Sequence, residues 1–278
     1  MKQKNIFSRF LLMAGALVFT LGMVTSCGSD DDDTEPQPPK TPKVGDSNNT
    51  HTIFVNGVSF SMVVVEGGTF QMGSPESDTE ADDDEKPQHP VTLSDYFIGQ
   101  TEVTQALWKA VMDNNPSHFV GDNLPVETVS WDDCQLFIMK LREMTGLMFR
   151  LPTEAEWEFA ARGGNQSEGF AYSGSDDLEQ IAWYGINSEG RTHEVGTKQP
   201  NELGIYDMTG NVDEWVQDWY GDYSSEAQTN PTGPETGFSH VTRGAYWNAI
   251  WGSVLRVAER EGIPPSEKGS GLGFRLAH

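Results

Sequence analysis

After Arg162 the chain loses helical periodicity and does not regain it: glycine, aromatic residues and turn formers dominate the stretch to His278. That half must therefore be held by short strands, loops and side-chain contacts rather than by long regular elements. Its most informative part runs from Arg243 through Phe274 to the terminal histidine. An Arg243-Gly244 opening, Trp247 and Trp251 four residues apart, a Pro264-Pro265 turn and a closing Gly273-Phe274-Arg275-Leu276 predict two strands tied by a long irregular loop. A loop of that length, carrying aromatics and mixed polar chemistry, is a functional feature rather than a connector.

Ahead of it the chain carries three short helices. Thr104 caps the first, whose apolar positions Leu107, Trp108, Val111 and Met112 recur at helical spacing. Ser130 with Asp133 opens the second, with Cys134, Phe137, Ile138 and Leu141 on one face and Gly146 at its end. Thr153 and Glu156 form a full capping box for the third, within Leu151–Arg162. Cys134 on the apolar stripe reads as a buried structural thiol. Glu154, Glu156 and Glu158 read as structural, since helix-start amides and the dipole account for two of them and no histidine stands nearby. Residues Thr52 to Met72 alternate around two glycine-marked turns and predict a strand pair at a sheet edge, and Val91 to Ile98 is again strand-like. Between them, Ser74 to Pro90 concentrates carboxylates. It lacks the fixed glycine and closing glutamate of a helix-loop-helix calcium site, so it reads as a solvated loop.

The first 26 residues place Lys2, Lys4 and Arg9 before an uncharged apolar run from Phe10 to Val24, the layout of a secretory signal too short for a membrane span. Val24-Thr25-Ser26-Cys27 resembles a bacterial lipobox, which implies acylation of Cys27 after cleavage. Residues 27–51 are then an acidic and proline-rich tether, too polar to bury a core. The acidic run after Cys27 resembles the surface-export signal of some Gram-negative lipoproteins, or is simply a solvated spacer. Residues 52–278 are enough for one large domain. Loss of the leader takes the formal charge from −24 to −27, which repels nucleic acid and anionic lipid, leaving the lipid anchor as the membrane attachment. With Cys134 the only other cysteine, no disulfide forms within the domain and no cysteine-rich zinc site is possible.

Several motifs in order carry a family resemblance. Glu66-Gly-Gly-Thr-Phe-Gln-Met-Gly73, Thr101-Glu-Val-Thr104, Pro125-Val-Glu-Thr-Val-Ser-Trp131, Arg150-Leu-Pro-Thr-Glu-Ala-Glu-Trp-Glu158, Gly204-Ile-Tyr-Asp-Met-Thr-Gly-Asn-Val-Asp-Glu-Trp215, Arg243-Gly244 and Gly273-Phe-Arg-Leu276 together resemble the sulfatase-modifying factor family, the formylglycine-generating enzymes and their relatives. The resemblance implies an α+β fold: a single compact C-type-lectin-like domain with much irregular structure, a few short helices and antiparallel strands, and the C-terminal loop as its upper surface. It also implies a structural calcium, with oxygen ligands from Asp207 and Glu214 and main-chain oxygens from Gly210 and Val212. Hard oxygen donors around a glycine-containing turn suit that ion. A second calcium loop of the catalytic members is replaced here by the Asn187-Ser-Glu-Gly190 turn.

The family's activity is not implied. Formylglycine-generating enzymes hold copper with two cysteines after the Arg-Gly, and Cu(I) is selected by thiolates. From Arg243 to Ala277 this chain has no cysteine, histidine or methionine, so no copper and no catalytic residue are expected. A related carbon–sulfur-bond-forming branch uses iron and a helical domain bearing a histidine cluster. The six histidines here are scattered.

What remains in the loop suits binding. Tyr246, Trp247, Ile250 and Trp251 supply rigid apolar area, and Asn248, Ser253, Arg256, Glu259 and Glu261 supply hydrogen bonds and charge. Trp247 and Leu255 are expected to be buried. The same ending resembles the variable proteins of diversity-generating retroelements, whose segment between Arg-Gly and Gly-Phe-Arg-Leu is mutated at chosen codons. Ala245-Tyr246, Ile250, Trp251 and Val254 fit such a surface. The reading is a lipoprotein anchored to the bacterial outer membrane that binds an extracellular or envelope protein or glycan. Its competitors are a sulfatase-maturation enzyme or its non-catalytic partner, and a structural part of an envelope gliding or secretion machine.

Overall fold

The computed structural model describes residues 49–278. The leader, Cys27 and most of the expected tether lie outside the described residues. The fold is the α+β, C-type-lectin-like domain that the motifs imply, built from three small sheets, four short α-helices and long irregular segments.

Strands β1 (Thr50–Val55) and β2 (Val58–Val65) form an antiparallel hairpin over Asn56-Gly57, with β1 at the sheet edge as expected. The expected strand of Val91 to Ile98 divides. Its first part belongs to β4 (His89–Thr92), paired with β3 (Thr69–Met72) and with the two-residue β7 (Gln228–Thr229), and its second to β5 (Tyr96–Gly99), paired with β2. The break at Leu93-Ser94-Asp95 lets Asp95 Oδ1 accept from Gly67 N at 2.8 Å, so a side chain–backbone bond replaces ladder continuity there.

The helices α1 (Gln105–Met112), α2 (Trp131–Thr145) and α3 (Glu154–Ala161) begin at the expected caps: Thr104, Ser130 and Thr153 each accept from the backbone N–H three residues on. Each such cap is worth about 1 kcal/mol. One further turn of helix, α4 (Leu178–Ile181), follows where none was expected. Cys134 is fully buried on α2, and burial pushes its thiol well above the ordinary value. Trp108 of α1 stacks on Phe137 of α2 at 5.2 Å, and Phe274 meets both edge-on. Full burial of each such ring stabilises the fold by about 1.5–3 kcal/mol. Among the described residues no helix is long and apolar enough to cross a membrane.

The third sheet positions the site. Its order is β10 (Leu272–Phe274), β6 (Asp213–Trp219), β8 (His240–Arg243), β9 (Glu261–Ile263), with β10 parallel to β6 and the other pairs antiparallel. Glu214 of β6 lies beside both Gly273 of β10 and Arg243 of β8. Three motifs scattered through the sequence thus become one side-by-side array. A Cβ on Gly273 would stand 2.5 Å from Val126 O, so only glycine fits. The two strands expected to frame the C-terminal loop are β8 and β10. They do not pair, because β6 runs between them, and β9 is a third strand within the connection.

Candidate ligand-binding site

The loop leaves β8 from a deeply fixed point. Arg243 is buried, with NH2 on Glu158 Oε2 at 2.6 Å and on Val257 O at 2.8 Å, and NH1 on Ala258 O at 3.0 Å. Gly244 follows at φ 101, where a Cβ would meet Trp157 Cζ2 at 3.0 Å. Ala245 then occupies the left-handed region at φ 60, a conformation that costs a residue with a Cβ about 1 kcal/mol.

From there the loop faces two ways. Ala245, Ala249 and Leu255 turn inward and form a small apolar cluster with Ile181, Ala182 and Tyr184. Gly185 N donates to Ala249 O at 2.8 Å and Trp247 N to Asn211 O at 3.0 Å. Tyr246, Asn248, Ile250 and Trp251 turn outward, with Ile250 55% and Trp251 68% exposed. Large apolar surface held toward water on a braced backbone is the arrangement of a contact surface.

Six of the nine expected ligand-binding residues, Tyr246, Asn248, Ile250, Trp251, Glu259 and Glu261, line one open cavity of about 280 Å³. Three do not. Trp247 is half-buried, its indole N–H on Ser270 O at 3.0 Å and its ring edge-on to Phe119, while Leu255 is buried as expected. Ser253 is half-buried and its carbonyl accepts from Arg256 Nε at 3.0 Å. Arg256 corrects the expectation outright. It is 7% exposed, donates to both oxygens of Glu85 and to Glu80 O, and so pins the loop instead of facing a ligand. The same pair corrects the view of Ser74 to Pro90 as merely solvated, because Glu85 is fully buried and its carboxyl sits below the usual range through its bonds to Arg256 and Ser74, although burial opposes that.

The three glutamates of α3 are structural, as expected, but two of their partners, Arg243 and Arg260, lie far away in sequence. Arg260 donates to Glu154 through Nε at 2.7 Å and NH2 at 2.8 Å, Arg162 and Arg243 share Glu158, and Arg150 binds Glu156. Sequence reasoning missed Asp213 and Thr242 in the cavity lining. Asp213 is 8% exposed; burial, then the charges of Glu261 and Glu214, push its carboxyl up to about 7. Burial and the charges of Glu85 and Asp82 push Glu259 up to about 8. No local signal marks Asp213, since its place depends on how β6, β8 and the loop pair.

The family model described as Sulfatase-modifying factor enzyme 1-like domain matches residues 56–278. The chain belongs to this family. A solved structure similar to it is Treponema denticola variable protein 1, 35% identical with a TM-score of 0.75 over 83% of this chain and 99% of that one. Chaperone protein LppX of Paenibacillus barcinonensis is 35% identical over 68% of this chain and 79% of its own length. The formylglycine-generating enzyme of Thermomonospora curvata is 28% identical over 79% of this chain and 94% of its own.

Of the residues that the resemblance implies for calcium, the two carboxylates sit in different surroundings. Asp207 is 3% exposed at φ 56, and its Oδ2 accepts from Gly196 N at 2.6 Å. Burial pushes its carboxyl up to about 6. Beside it, Glu102 Oε1 accepts from Asn211 Nδ2 at 2.8 Å; burial and the charge of Asp207 push the Glu102 carboxyl well above its ordinary range, so that it keeps a proton and hydrogen-bonds the Asp207 carboxylate. One shared proton satisfies the two carboxyl groups, and a hard cation could take its place. Glu214 departs from the expected ligand set: Arg275 donates to both its oxygens at 2.6 Å and Trp157 Nε1 to Oε2 at 2.7 Å. Its charge is balanced by the guanidinium without a metal.

Proposed function

We propose that this chain is a ligand-binding module, anchored through Cys27 to the bacterial outer membrane, that grips an extracellular or envelope protein through its C-terminal loop. The observation that carries this reading is the division of the loop: Ala249 and Leu255 packed inward, Tyr246, Ile250 and Trp251 held outward around one cavity. Tyrosine and tryptophan give large contact area at low entropic cost, and a pre-braced backbone reduces the cost of ordering on binding. Similarity over nearly the whole of a protein named as variable supports a diversified loop. Calcium serves as structural support near Asp207, with Glu102 in place of Glu214.

The test is capture on intact cells by the full chain and by a Tyr246→Ala/Ile250→Ala/Trp251→Ala variant. Exposed side chains of this kind contribute within about 0.5 kcal/mol to folding, so an unchanged melting temperature with lost capture is the expected result. Undiminished capture refutes the reading. Copper uptake and oxygen consumption with a cysteine-containing sulfatase peptide would instead establish the enzyme, which a segment without thiolates is not expected to be. A template repeat and reverse transcriptase gene beside this one are the expected signs of diversification.

A further inference from the structure

The lining of the loop cavity is unbalanced in charge. It holds three carboxyl groups, Asp213, Glu259 and Glu261, and two guanidinium groups, Arg243 and Arg260. All their nitrogens but Arg243 Nε are already committed behind the wall. Arg260 spends Nε and NH2 on Glu154 and NH1 on Gly221 O, and stacks over Tyr220 and Tyr223. Arg243 spends its NH1 and NH2 on Glu158, Glu154 and two carbonyls. The cation nearest Glu259 is Arg256, at 3.9 Å, and its nitrogens are held by Glu85, Glu80 O and Ser253 O. No cation among the described residues is bonded to Asp213 or Glu261.

A second observation marks the same place as built to receive something. Thr242 Oγ1 lies in the lining, fully buried and without a hydrogen-bond partner of good geometry, beside the Asp213 carboxyl that it only partly satisfies. A buried hydroxyl left in that state costs about 1–3 kcal/mol unless a partner arrives. Tyr246 and Trp251 line the same cavity, and aromatic faces attract a cation while aromatic surface covers an aliphatic stem.

We infer that this cavity receives a lysine or arginine side chain of the protein partner, its stem between Tyr246 and Trp251 and its charged head against Asp213, Glu259 and Glu261. The inference rests on the binding reading above and names the chemistry it selects. A guanidinium fits better than an ammonium, because its five planar N–H groups match several carboxylate oxygens and a hydroxyl at once.

The test uses the full chain and two matched probes, N-acetyl-arginine amide and its neutral urea isostere N-acetyl-citrulline amide, read by tryptophan fluorescence. The expected result is saturable quenching by the arginine probe, at least tenfold weaker for the citrulline probe and weakened by added salt. Glu261→Gln, on an exposed side chain that the fold does not need, is expected to weaken the arginine probe severalfold. Asp213→Asn is expected to weaken it further, and Trp251→Ala to abolish the signal. Equal binding of the two probes, no response to the arginine probe at millimolar concentration, an unchanged affinity in Glu261→Gln, or preference for glucosamine over the arginine probe overturns the inference. If the triple loop variant loses cell capture while the arginine probe fails, only this inference falls; if capture survives the triple variant, the binding reading falls with it.

Discussion

Arg260 and Glu154, 106 residues apart, meet as a buried two-bond ion pair that ties the descending limb of the C-terminal loop to the first turn of α3. Glu154 Oε1 also accepts from Tyr223 and Arg243, so one carboxylate anchors both limbs of the loop. The loop is here fastened inside by charged groups that are almost wholly buried.

That arrangement makes Glu154→Gln costly. It leaves the Arg260 guanidinium buried without its counter-charge and weakens the hold on Arg243, so unfolding in urea is expected to show a loss of about 3–5 kcal/mol. Replacing both partners, as Glu154→Leu with Arg260→Met, is expected to recover much of that loss, because no uncompensated charge is then buried. A double variant as unstable as the single one would contradict the ion-pair account.

Ala245 offers a prediction of opposite sign. Its φ of 60 is strained for any side chain with a Cβ, and it is 9% exposed in the small cluster under the loop. Ala245→Gly removes the Cβ from that conformation and is expected to raise stability by about 1 kcal/mol in the same urea titration. A destabilised variant would mean that the lost methyl packing outweighs the relieved strain.

What was legible in the sequence follows from how local each cause is. Thr104, Ser130 and Thr153 were readable as caps because a cap and its acceptor lie three residues apart. The array of Glu214, Arg243 and Gly273 was readable as one domain because ordered motifs carried the family. Arg256 was misplaced because its partner Glu85 is 171 residues away, and nothing around Arg256 itself tells an inward guanidinium from an outward one. Asp213 was missed for the same reason, and the break between β4 and β5 because a loop closing on Gly67 leaves no mark in the alternation of Val91 to Ile98.

Stability should fall as pH rises toward 8. Asp218 is 3% exposed, and burial followed by the charge of Glu154 pushes its carboxyl up to about 8. Between its unfolded value of about 4 and this folded value, the native state binds a proton that the unfolded state lacks. The stabilising contribution is therefore whole below the lower value and is lost as pH climbs through the upper one, at up to about 1.4 kcal/mol per pH unit. Glu259, also pushed up to about 8, adds to the same trend. Urea midpoints between pH 5 and pH 8 should show the decline, and Asp218→Asn, which still accepts from Glu154 N, should flatten it by about one proton.

Calcium provides the sharpest division between what the family implies and what this chain presents. If the ion is held between the Asp207 and Glu102 carboxyl groups, displacing the proton they share, it binds the folded state alone and stabilises it by about 2.7 kcal/mol at one hundred times its dissociation constant. Added calcium is then expected to raise the melting temperature and a chelator to lower it, and Asp207→Asn or Glu102→Gln to shrink that difference. Glu214→Gln is expected to behave otherwise. It strands Arg275, which is fully buried and donates to both Glu214 oxygens, so it lowers stability with and without calcium alike. A calcium-dependent shift that vanishes in Glu214→Gln but survives in Glu102→Gln would return Glu214 to the ligand set and require the Arg275 pair to open when the ion binds.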